Sequence, residues 1–384
     1  MEIAAGIKYI GVNDHEIDLF EGQYEVPNGM AYNSYAVIDE KIAIFDTVDE
    51  RYIPQWLENI EKALDGKTPD YLILQHMEPD HSAGILTFAN KYPDAQIVAS
   101  AKAFPMMKNF HGEDFESRRI VAGEGTTLSL GSRTLTFVTA PMVHWPEVIV
   151  TYDDKTKTLF SADGFGKFGA LDVDEDWACE ARRYYFGIVG KYGAQVGALL
   201  KKVSNLQIEN ICPLHGPVIS GDALSTALEK YSLWSSYTPE DEGVTIAYAS
   251  IYGHTKEAAL LLADMLKEKG IKTSTFDLAR DDMAEAVEDS FRYNKLVLAS
   301  STYNNGLFPY MNTFIHALTE RLYQNRTIAF IENGSWAPTA AKNMRALLEN
   351  SKNLTFAETV VTLKSALSHE SREQIASLAN ELVK

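Results

Sequence analysis

From Val244 onward, short apolar runs alternate regularly with amphipathic segments, and this alternation restricts the possible folds more than any other feature of the chain. The runs that we expect to form strands are VTIAYAS, IKTSTFDL, KLVLAS, TIAFIE and LTFAETVVTL. Segments of helical periodicity separate them, such as KEAALLLADMLKEKG, which ends at a glycine. Strands separated by helices pair in parallel, because the helix returns the chain to the same end of the sheet. Residues 244–384 are therefore predicted to form an α/β domain with a doubly wound parallel sheet.

Residues 1–240 follow a different pattern, in which strand-like stretches outnumber helices and are joined by longer loops. The stretches include AVIDEKIAIFD, YLIL, QIVAS, TLTFVTAP, VIVTYD and TLFSAD, and YIPQWLENIEKAL is one of the few helices. Many strands with few helices indicate an α/β sandwich of mixed sheets. The segment Tyr237–Val244 is polar and contains Pro and Gly, so we expect it to link the two domains.

Charge and cysteine content exclude several classes of function. The formal net charge of −18 argues against nucleic acid and against an anionic membrane surface as partners. The two cysteines, Cys179 and Cys212, are too few for a disulfide framework or an iron–sulfur cluster. No apolar run is long enough to span a membrane, and the acidic N-terminus lacks the features of a secretory signal. We therefore expect a cytoplasmic protein whose metals, if any, are held by nitrogen and oxygen.

Candidate metal ligands follow several predicted strands of the first domain. Four lie within QHMEPDH, directly after the strand YLIL, and the others follow three later strands one at a time. In chain order they are His76, Glu78, Asp80, His81, His144, Asp163 and His215. Four ionisable groups so close together are costly to bury without a cation. The recurrence of ligands at four strand ends predicts a metal centre.

The number and type of these ligands indicate two ions. Seven ligands are too many for one ion of four to six ligands, and the two oxygens of Asp163 can bridge a pair. An even split gives His76, Glu78 and His144 to one ion and Asp80, His81 and His215 to the other. A His-x-His-x-Asp-His run would indicate a two-zinc hydrolase, but here Glu78 replaces the second histidine. Added carboxylates favour iron or manganese over zinc, which cannot change its oxidation state, so the motif indicates redox chemistry.

Three loops at strand ends of the second domain are rich in hydroxyl, amide and glycine residues. The first, SIYGHT, enters a helix, whose N-terminus can bind a phosphate without Lys or Arg. It is neither a P-loop nor a dinucleotide fingerprint, so it suits a mononucleotide. The other two loops add the aromatic faces of Tyr303 and Trp336, and FMN meets all of these requirements. The candidate residues are Ser250, Ile251, Tyr252, Gly253, His254, Thr255, Ser301, Thr302, Tyr303, Asn304, Asn305, Gly306, Asn333, Gly334, Ser335 and Trp336.

Taken together, these motifs resemble the flavodiiron proteins over essentially the whole chain. HMEPDH, His144, Asp163 and His215 are similar to the ligands of a metallo-β-lactamase-like αββα sandwich, and SIYGHT, TYNNG and GSW to the loops of a flavodoxin. The resemblance implies two iron ions and one FMN per chain. It places His76, Glu78, His144 and bridging Asp163 on the iron nearer the flavin, and Asp80, His81 and His215 on the other. The implied activity is reduction of O₂ to water, of nitric oxide to nitrous oxide, or both.

The resemblance also carries expectations about partners. The sequence ends at LANELVK without CxxC pairs, which resembles the minimal class that takes electrons from a separate donor, commonly rubredoxin and in some relatives a reduced deazaflavin. Family members are typically head-to-tail homodimers or dimers of dimers, so we expect one here.

Two other functions are compatible with parts of the sequence. A di-zinc hydrolase with a regulatory flavodoxin-like domain would use the same strand ends, but Glu78 and the flavin loops count against it. A flavodoxin-type electron carrier with an inactive metal domain is disfavoured because all seven ligand positions are filled. Metal analysis and gas consumption distinguish the three.

Overall fold

The structure is a computed structural model that describes residues 1–384. It divides into two compact units, Met1–Ser232 and Leu233–Lys384. None of its helices combines the length and the apolar composition that crossing a bilayer requires.

The first unit contains seventeen strands and six α-helices, and a seventh α-helix starts within it and ends beyond Ser232. The strands are β1 (Glu2–Ala4), β2 (Ile7–Tyr9), β3 (Val12–Asp14), β4 (Leu19–Phe20), β5 (Tyr24–Glu25), β6 (Met30–Tyr32), β7 (Tyr35–Ile38), β8 (Ile42–Phe45), β9 (Tyr71–Leu74), β10 (Gln96–Ser100), β11 (Arg119–Ala122), β12 (Thr127–Ser129), β13 (Thr134–Thr139), β14 (Ile149–Asp153), β15 (Thr158–Phe160), β16 (Asn210–Cys212) and β17 (Ile219–Ser220). The helices are α1 (Ile53–Leu64), α2 (Pro79–Ser82), α3 (Ile85–Lys91), α4 (Ala103–His111), α5 (Trp177–Tyr184), α6 (Gly193–Val203) and α7 (Asp222–Ser235). Short 3₁₀ turns cover Glu50–Tyr52 and Gly190–Tyr192, and a π-helical turn covers Tyr185–Val189.

Two mixed sheets form the body of this unit. One has seven strands in the order β1-β2-β7-β8-β9-β10-β11, and the other has six in the order β12 to β17. Their facing side chains make one apolar core, in which Phe45 and Phe160 stack with ring centroids 4.1 Å apart. Helix α1 buries Trp56, Ile60 and Leu64, spaced four residues apart on one face. The sequence prediction of an αββα sandwich is confirmed.

The second unit contains the predicted parallel sheet. Its strands are β18 (Asp241–Ala249), β19 (Thr273–Asp277), β20 (Tyr293–Tyr303), β21 (Gly306–Leu307), β22 (Thr327–Asn333) and β23 (Thr355–Leu363). Its helices are α8 (His254–Glu268), α9 (Met283–Arg292), α10 (Pro309–Glu320), α11 (Ala340–Leu347) and α12 (His369–Leu382). The sheet order is β19-β18-β20-β22-β23, with all four pairings parallel. This is the flavodoxin-like order 2-1-3-4-5, so the predicted doubly wound fold is confirmed.

The boundary between the units lies earlier than the sequence suggested. The first unit ends at Ser232 rather than at residue 240, and β18 already begins at Asp241, within the segment expected to be a linker. Arg326 of the second unit is buried and donates to the carbonyl oxygen of Tyr237 at 2.6 Å. The residues before β18 are therefore part of the second unit.

Candidate functional site

The sequence-predicted ligands converge at one edge of the sandwich of the first unit. Strand β9 leads into the loop that holds His76, and Glu78 caps the one-turn helix α2 that carries Asp80 and His81. The remaining ligands, His144, Asp163 and His215, follow β13, β15 and β16. Five of the seven side chains are buried, and those of Glu78 and Asp80 are 16% and 11% exposed. The structure thus brings together every candidate ligand that the sequence singled out.

One group of ligand atoms consists of His76, Glu78, His144 and Asp163. The Nε2 atoms of His76 and His144 lie 3.2 and 3.0 Å from Oε2 of Glu78. The same two nitrogens lie 3.3 and 3.1 Å from Oδ2 of Asp163. The four side chains therefore direct their ligand atoms at one point.

A second group consists of Asp80, His81 and His215. The Nε2 atoms of the two histidines are 3.0 Å apart, and each lies 3.3 Å from Oδ2 of Asp80. Oδ1 of Asp163 lies 3.4 Å from Nε2 of His81. Asp163 thus presents one oxygen to each group.

These spacings fit a pair of metal ions. Bonds of about 2.1 Å place adjacent ligand atoms about 3.0–3.4 Å apart, whether the ion is octahedral or tetrahedral. The oxygens of Asp80 and Asp163 are buried and accept no well-aligned hydrogen bond, so their charge has to be balanced by the adjacent imidazoles when protonated or by a bound cation. Four imidazoles and three carboxylates suit iron.

The carboxylates also place protons on the histidines. Burial lowers the pKa of His144, but the carboxylates of Asp163 and Glu78 outweigh burial and raise it to about 9. Burial also lowers the pKa of His76. The carboxylates of Asp163 and Glu147 raise it by more, so that the pKa of His76 lies well above its ordinary value. A cation that binds these nitrogens must displace the protons, so metal affinity should rise with pH.

Two carboxylates that the sequence reasoning missed position the ligands. Oε1 of Glu147 accepts hydrogen bonds from Nδ1 of His76 and from the backbone N–H of Met77, both at 2.9 Å. Oδ1 of Asp46 accepts from the backbone N–H groups of Gln75 and His76 at 2.7 and 3.3 Å. Asp46 follows strand β8 and Glu147 lies three residues after His144, so the same search of strand ends could have found both. Such partners orient a ligand and fix its tautomer.

Aromatic side chains enclose the ligands. The ring of Phe20, at the end of β4, lies 5.3 Å from that of His215, and the ring of Tyr184 lies 5.5 Å from it. Trp145 packs against His76 with ring centroids 5.2 Å apart. The hydroxyl of Tyr184 is buried without a hydrogen-bond partner. Burial and then the charges of Asp163, Glu78 and Asp80 raise its pKa far above the ordinary value, so it stays protonated.

A separate cavity of 690 Å³ lies at the carboxyl end of the parallel sheet in the second unit, within the range of about 300–1,000 Å³ that small-molecule sites span. Fourteen of the sixteen predicted flavin residues line it, and Gly253 and Gly306 do not. Gly253 instead adopts a φ of 95° and forms the turn that starts α8. Ala337 and Ser365 line the cavity although the sequence reasoning did not name them.

Hydrogen bonds among the loops fix the shape of this cavity. Thr255 and Ser301 join their hydroxyls at 2.9 Å, which ties the first loop to the second. Asn333 exchanges hydrogen bonds with the backbone of Ser365 at 2.8 and 3.0 Å. Ser365 follows the fifth parallel strand, so the rule that ligands bind at strand ends would have pointed to it. Tyr252 and Trp336 remain 91% and 90% exposed, with aromatic faces available at the cavity.

Comparisons with known proteins assign a family to each of the two domains. Residues 30–216 match the ODP family beta lactamase and residues 245–377 match a flavodoxin domain. An uncharacterized protein of Methanocaldococcus jannaschii is 30% identical, over 91% of this chain and 89% of that protein. A nitric oxide reductase of Moorella thermoacetica is 29% identical, over 93% of this chain and 91% of that protein. The structure of rubredoxin oxygen:oxidoreductase from Desulfovibrio gigas superposes with a TM-score of 0.92 at 27% identity, covering 100% of this chain and 97% of that one.

A β-lactamase-type domain with two converging groups of metal ligands, followed by a flavodoxin domain, defines a class that joins a metal centre to a flavin site. The chain belongs to the flavodiiron proteins.

Proposed function

We propose that this flavodiiron protein is an oxidoreductase that reduces O₂ to water, nitric oxide to nitrous oxide, or both, at a di-iron centre supplied with electrons through FMN. One observation carries the proposal: the two oxygens of Asp163 face the histidine nitrogens of two separate ligand groups at 3.1–3.4 Å. The names of the relatives in Moorella thermoacetica and Desulfovibrio gigas support both substrates. Glu78, in place of a histidine, supports iron over zinc.

The ligand assignment follows the two groups. His76, Glu78 and His144 would hold one iron and Asp80, His81 and His215 the other, with one oxygen of Asp163 available to each. Iron, when bound, would supply coordination positions for a gas, and FMN, when bound, would pass electrons to it one at a time. Glu147 keeps His76 in the tautomer whose Nε2 can bind metal, because its carboxylate accepts a hydrogen bond from Nδ1–H. The carbonyl oxygen of Ala31 does the same for His215 at 2.7 Å.

Tyr184 is the side chain best placed to hydrogen-bond a substrate. Its hydroxyl is protonated, buried and unpartnered, and its strongest electrostatic neighbours are the ligand carboxylates. An O–H group in this position donates to an oxygen on which negative charge develops during reduction. Phe20 covers His215 from the same unit and keeps bulk water from that ligand.

FMN occupies the cavity of the second unit in this proposal. The first turn of α8, together with Ser250 and Thr255, would hold the phosphate, because helix N–H groups there have no partner within the helix. The loops after β20 and β22 hold the isoalloxazine ring, and Tyr303 and Trp336 offer flat faces to it.

The partners of the reaction belong to the same proposal. A separate donor such as rubredoxin supplies the electrons in this proposal, which the name of the Desulfovibrio gigas relative, rubredoxin oxygen:oxidoreductase, supports. A head-to-tail homodimer or a dimer of dimers would cover the exposed rings of Tyr252 and Trp336. A cytoplasmic setting agrees with the absence of a disulfide.

Metal and flavin analysis combined with gas consumption tests the proposal. The purified protein should contain about two iron ions and one FMN per chain, and after anaerobic reduction it should consume O₂ or nitric oxide. Zinc with hydrolytic turnover and no flavin would instead identify a hydrolase. Iron and FMN without consumption of either gas would identify an electron carrier.

A further inference from the structure

The ligand His215 lies in a turn of residues 213–216, which we call the His215 turn. Strand β16 ends at Cys212, and Gly216 adopts a left-handed φ of 77° directly after the ligand. None of the four residues of the turn belongs to a helix or a strand, so no ladder of backbone hydrogen bonds fixes the direction of the imidazole. That direction depends on contacts from other parts of the chain.

Residues two places before and two places after Asn33 supply part of these contacts. The carbonyl oxygen of Ala31 accepts a hydrogen bond from Nδ1 of His215 at 2.7 Å. The hydroxyl of Tyr35 donates to the carbonyl oxygen of Pro213 at 2.6 Å. A spacing of two residues places side chains on the same face of an extended chain, so Asn33 faces the same turn.

Asn33 joins the two ends of the His215 turn. Its side chain is fully buried, and Nδ2 donates to the carbonyl oxygens of Pro213 at 2.9 Å and of Gly216 at 2.7 Å. Its backbone N–H donates to the carbonyl oxygen of Leu214 at 2.8 Å. Oδ1 of Asn33 has no hydrogen-bond partner, so the amide serves the turn alone. Asn33 therefore fixes the backbone on both sides of the ligand.

The second group of ligands depends on such contacts more than the first group does. A partner on Nδ1 orients the ring of a metal-binding histidine, as Glu147 does for His76 in the first group. In the second group Nδ1 of His81 is buried and has no partner, so His215 is the only histidine of this group that a hydrogen bond orients. The meeting of the two Nε2 atoms, 3.0 Å apart, therefore depends on the His215 turn.

We propose that Asn33 is a positioning residue for the metal site formed by Asp80, His81 and His215. The inference rests on the proposed di-iron centre. Without the amide, the carbonyl oxygens on both sides of His215 lose a donor, and the imidazole is no longer held toward the other two ligands. The first site keeps its geometry, because none of its ligands lies in the His215 turn.

Anaerobic titration of the metal-free, full-length protein with Co²⁺ tests this role, because the visible absorption of Co²⁺ depends on its ligands. Asn33→Ala should bind one ion per chain as tightly as the unsubstituted protein does. The other ion should bind about 10–100-fold more weakly, the loss that is typical of partners of metal-binding histidines. The spectrum after one equivalent should match that of His215→Ala, which removes a ligand of the same site.

Asn59→Ala is the matched control for a general loss of stability. Asn59 of α1 also donates its amide to two carbonyl oxygens, those of Ile10 and Gly11 at 3.3 and 3.0 Å, and neither belongs to a loop that carries a ligand. The substitution should lower the midpoint of denaturation and leave the affinities for both ions unchanged. Selective weakening of one ion in Asn59→Ala would contradict the special place of Asn33.

Tyr35→Phe is a second, milder variant of the same turn. It removes only the hydroxyl that donates to Pro213, so it should weaken the same ion by a smaller factor. Equal weakening of both ions in Asn33→Ala, or no weakening of either, would overturn the role of Asn33. If Asn33→Ala does not fold, the same outcomes in Tyr35→Phe decide. Failure of the unsubstituted protein to bind two ions per chain would instead overturn the proposed di-iron centre.

Discussion

Replacement of Glu147 should weaken one metal site selectively. Its carboxylate is 2% exposed and accepts two hydrogen bonds of 2.9 Å, one from Nδ1 of His76 and one from the N–H of Met77. Glu147→Gln keeps the shape and an acceptor oxygen but removes the negative charge. Glu147→Leu removes both acceptors and leaves two buried donors without partners.

The two hydrogen bonds of Glu147 determine how much metal affinity and how much stability the two substitutions should remove. A hydrogen bond to a charged acceptor is about twice as strong as a neutral one, so Glu147→Gln should lose about 1–1.5 kcal/mol at His76, or about tenfold in metal affinity. This agrees with losses of about 10–100-fold for partners of metal-binding histidines. Glu147→Leu adds about 1–3 kcal/mol of instability for each buried donor, or about 2–6 kcal/mol in total.

Anaerobic titration with Fe²⁺ or Co²⁺ against a chromogenic chelator measures this affinity. The ion held by His76, Glu78 and His144 should bind more weakly in Glu147→Gln, while the ion held by Asp80, His81 and His215 should change less. Glu124→Gln is the matched control, because Glu124 is 54% exposed and contacts Lys202 and Thr139 rather than any ligand. Unchanged affinity at both sites in Glu147→Gln would refute a positioning role for Glu147.

Three other predictions concern pH, metal choice and the domain boundary. The pKa of His144 is raised to about 9 in the folded protein, against about 6.5 in the unfolded chain. The resulting contribution to stability is complete below pH 6.5 and is lost as the pH rises through 9. Chelator-treated protein should therefore unfold at a lower denaturant concentration at about pH 9 than at about pH 6.5. An unchanged midpoint would contradict the charge pairing. Glu78→His should raise the zinc-to-iron ratio of protein grown with both metals, measured by mass spectrometry, and an unchanged ratio would show that Glu78 does not select the metal. A fragment that begins at Leu233 should melt at a higher temperature than one that begins at Val244, since the shorter fragment loses the Tyr237 carbonyl that Arg326 requires; equal melting temperatures would argue against that contact.

The fold class and the family could be predicted because they depend on local patterns. Apolar runs such as IAIF and YLIL are fully buried strands, and the helix periodicity of KEAALLLADMLKE reappears as α8. The metal ligands are also local to strand ends, which explains why the structure brings all seven together. Their assignment to individual ions stays a prediction until metal is bound.

Other features depend on contacts between distant residues and were missed for that reason. Glu147 and His76 are 71 residues apart, and no spacing rule connects a carboxylate to the ring that it orients. The sequence analysis did not name Ser365 because the residues after its strand, which ends at Leu363, lack the glycine and amide residues that marked the other loops. The segment expected to be a linker contains Tyr237, whose carbonyl oxygen accepts a hydrogen bond from Arg326, 89 residues away, a contact that no local pattern shows.

The most direct test of redox chemistry at a di-iron centre is the reoxidation of the flavin. Protein that contains iron and FMN is reduced anaerobically and mixed in parallel with O₂ and with nitric oxide, next to the same protein from which iron has been removed. We predict that at least one gas reoxidises the flavin far faster when iron is present. Equal reoxidation rates with and without iron for both gases would contradict the account.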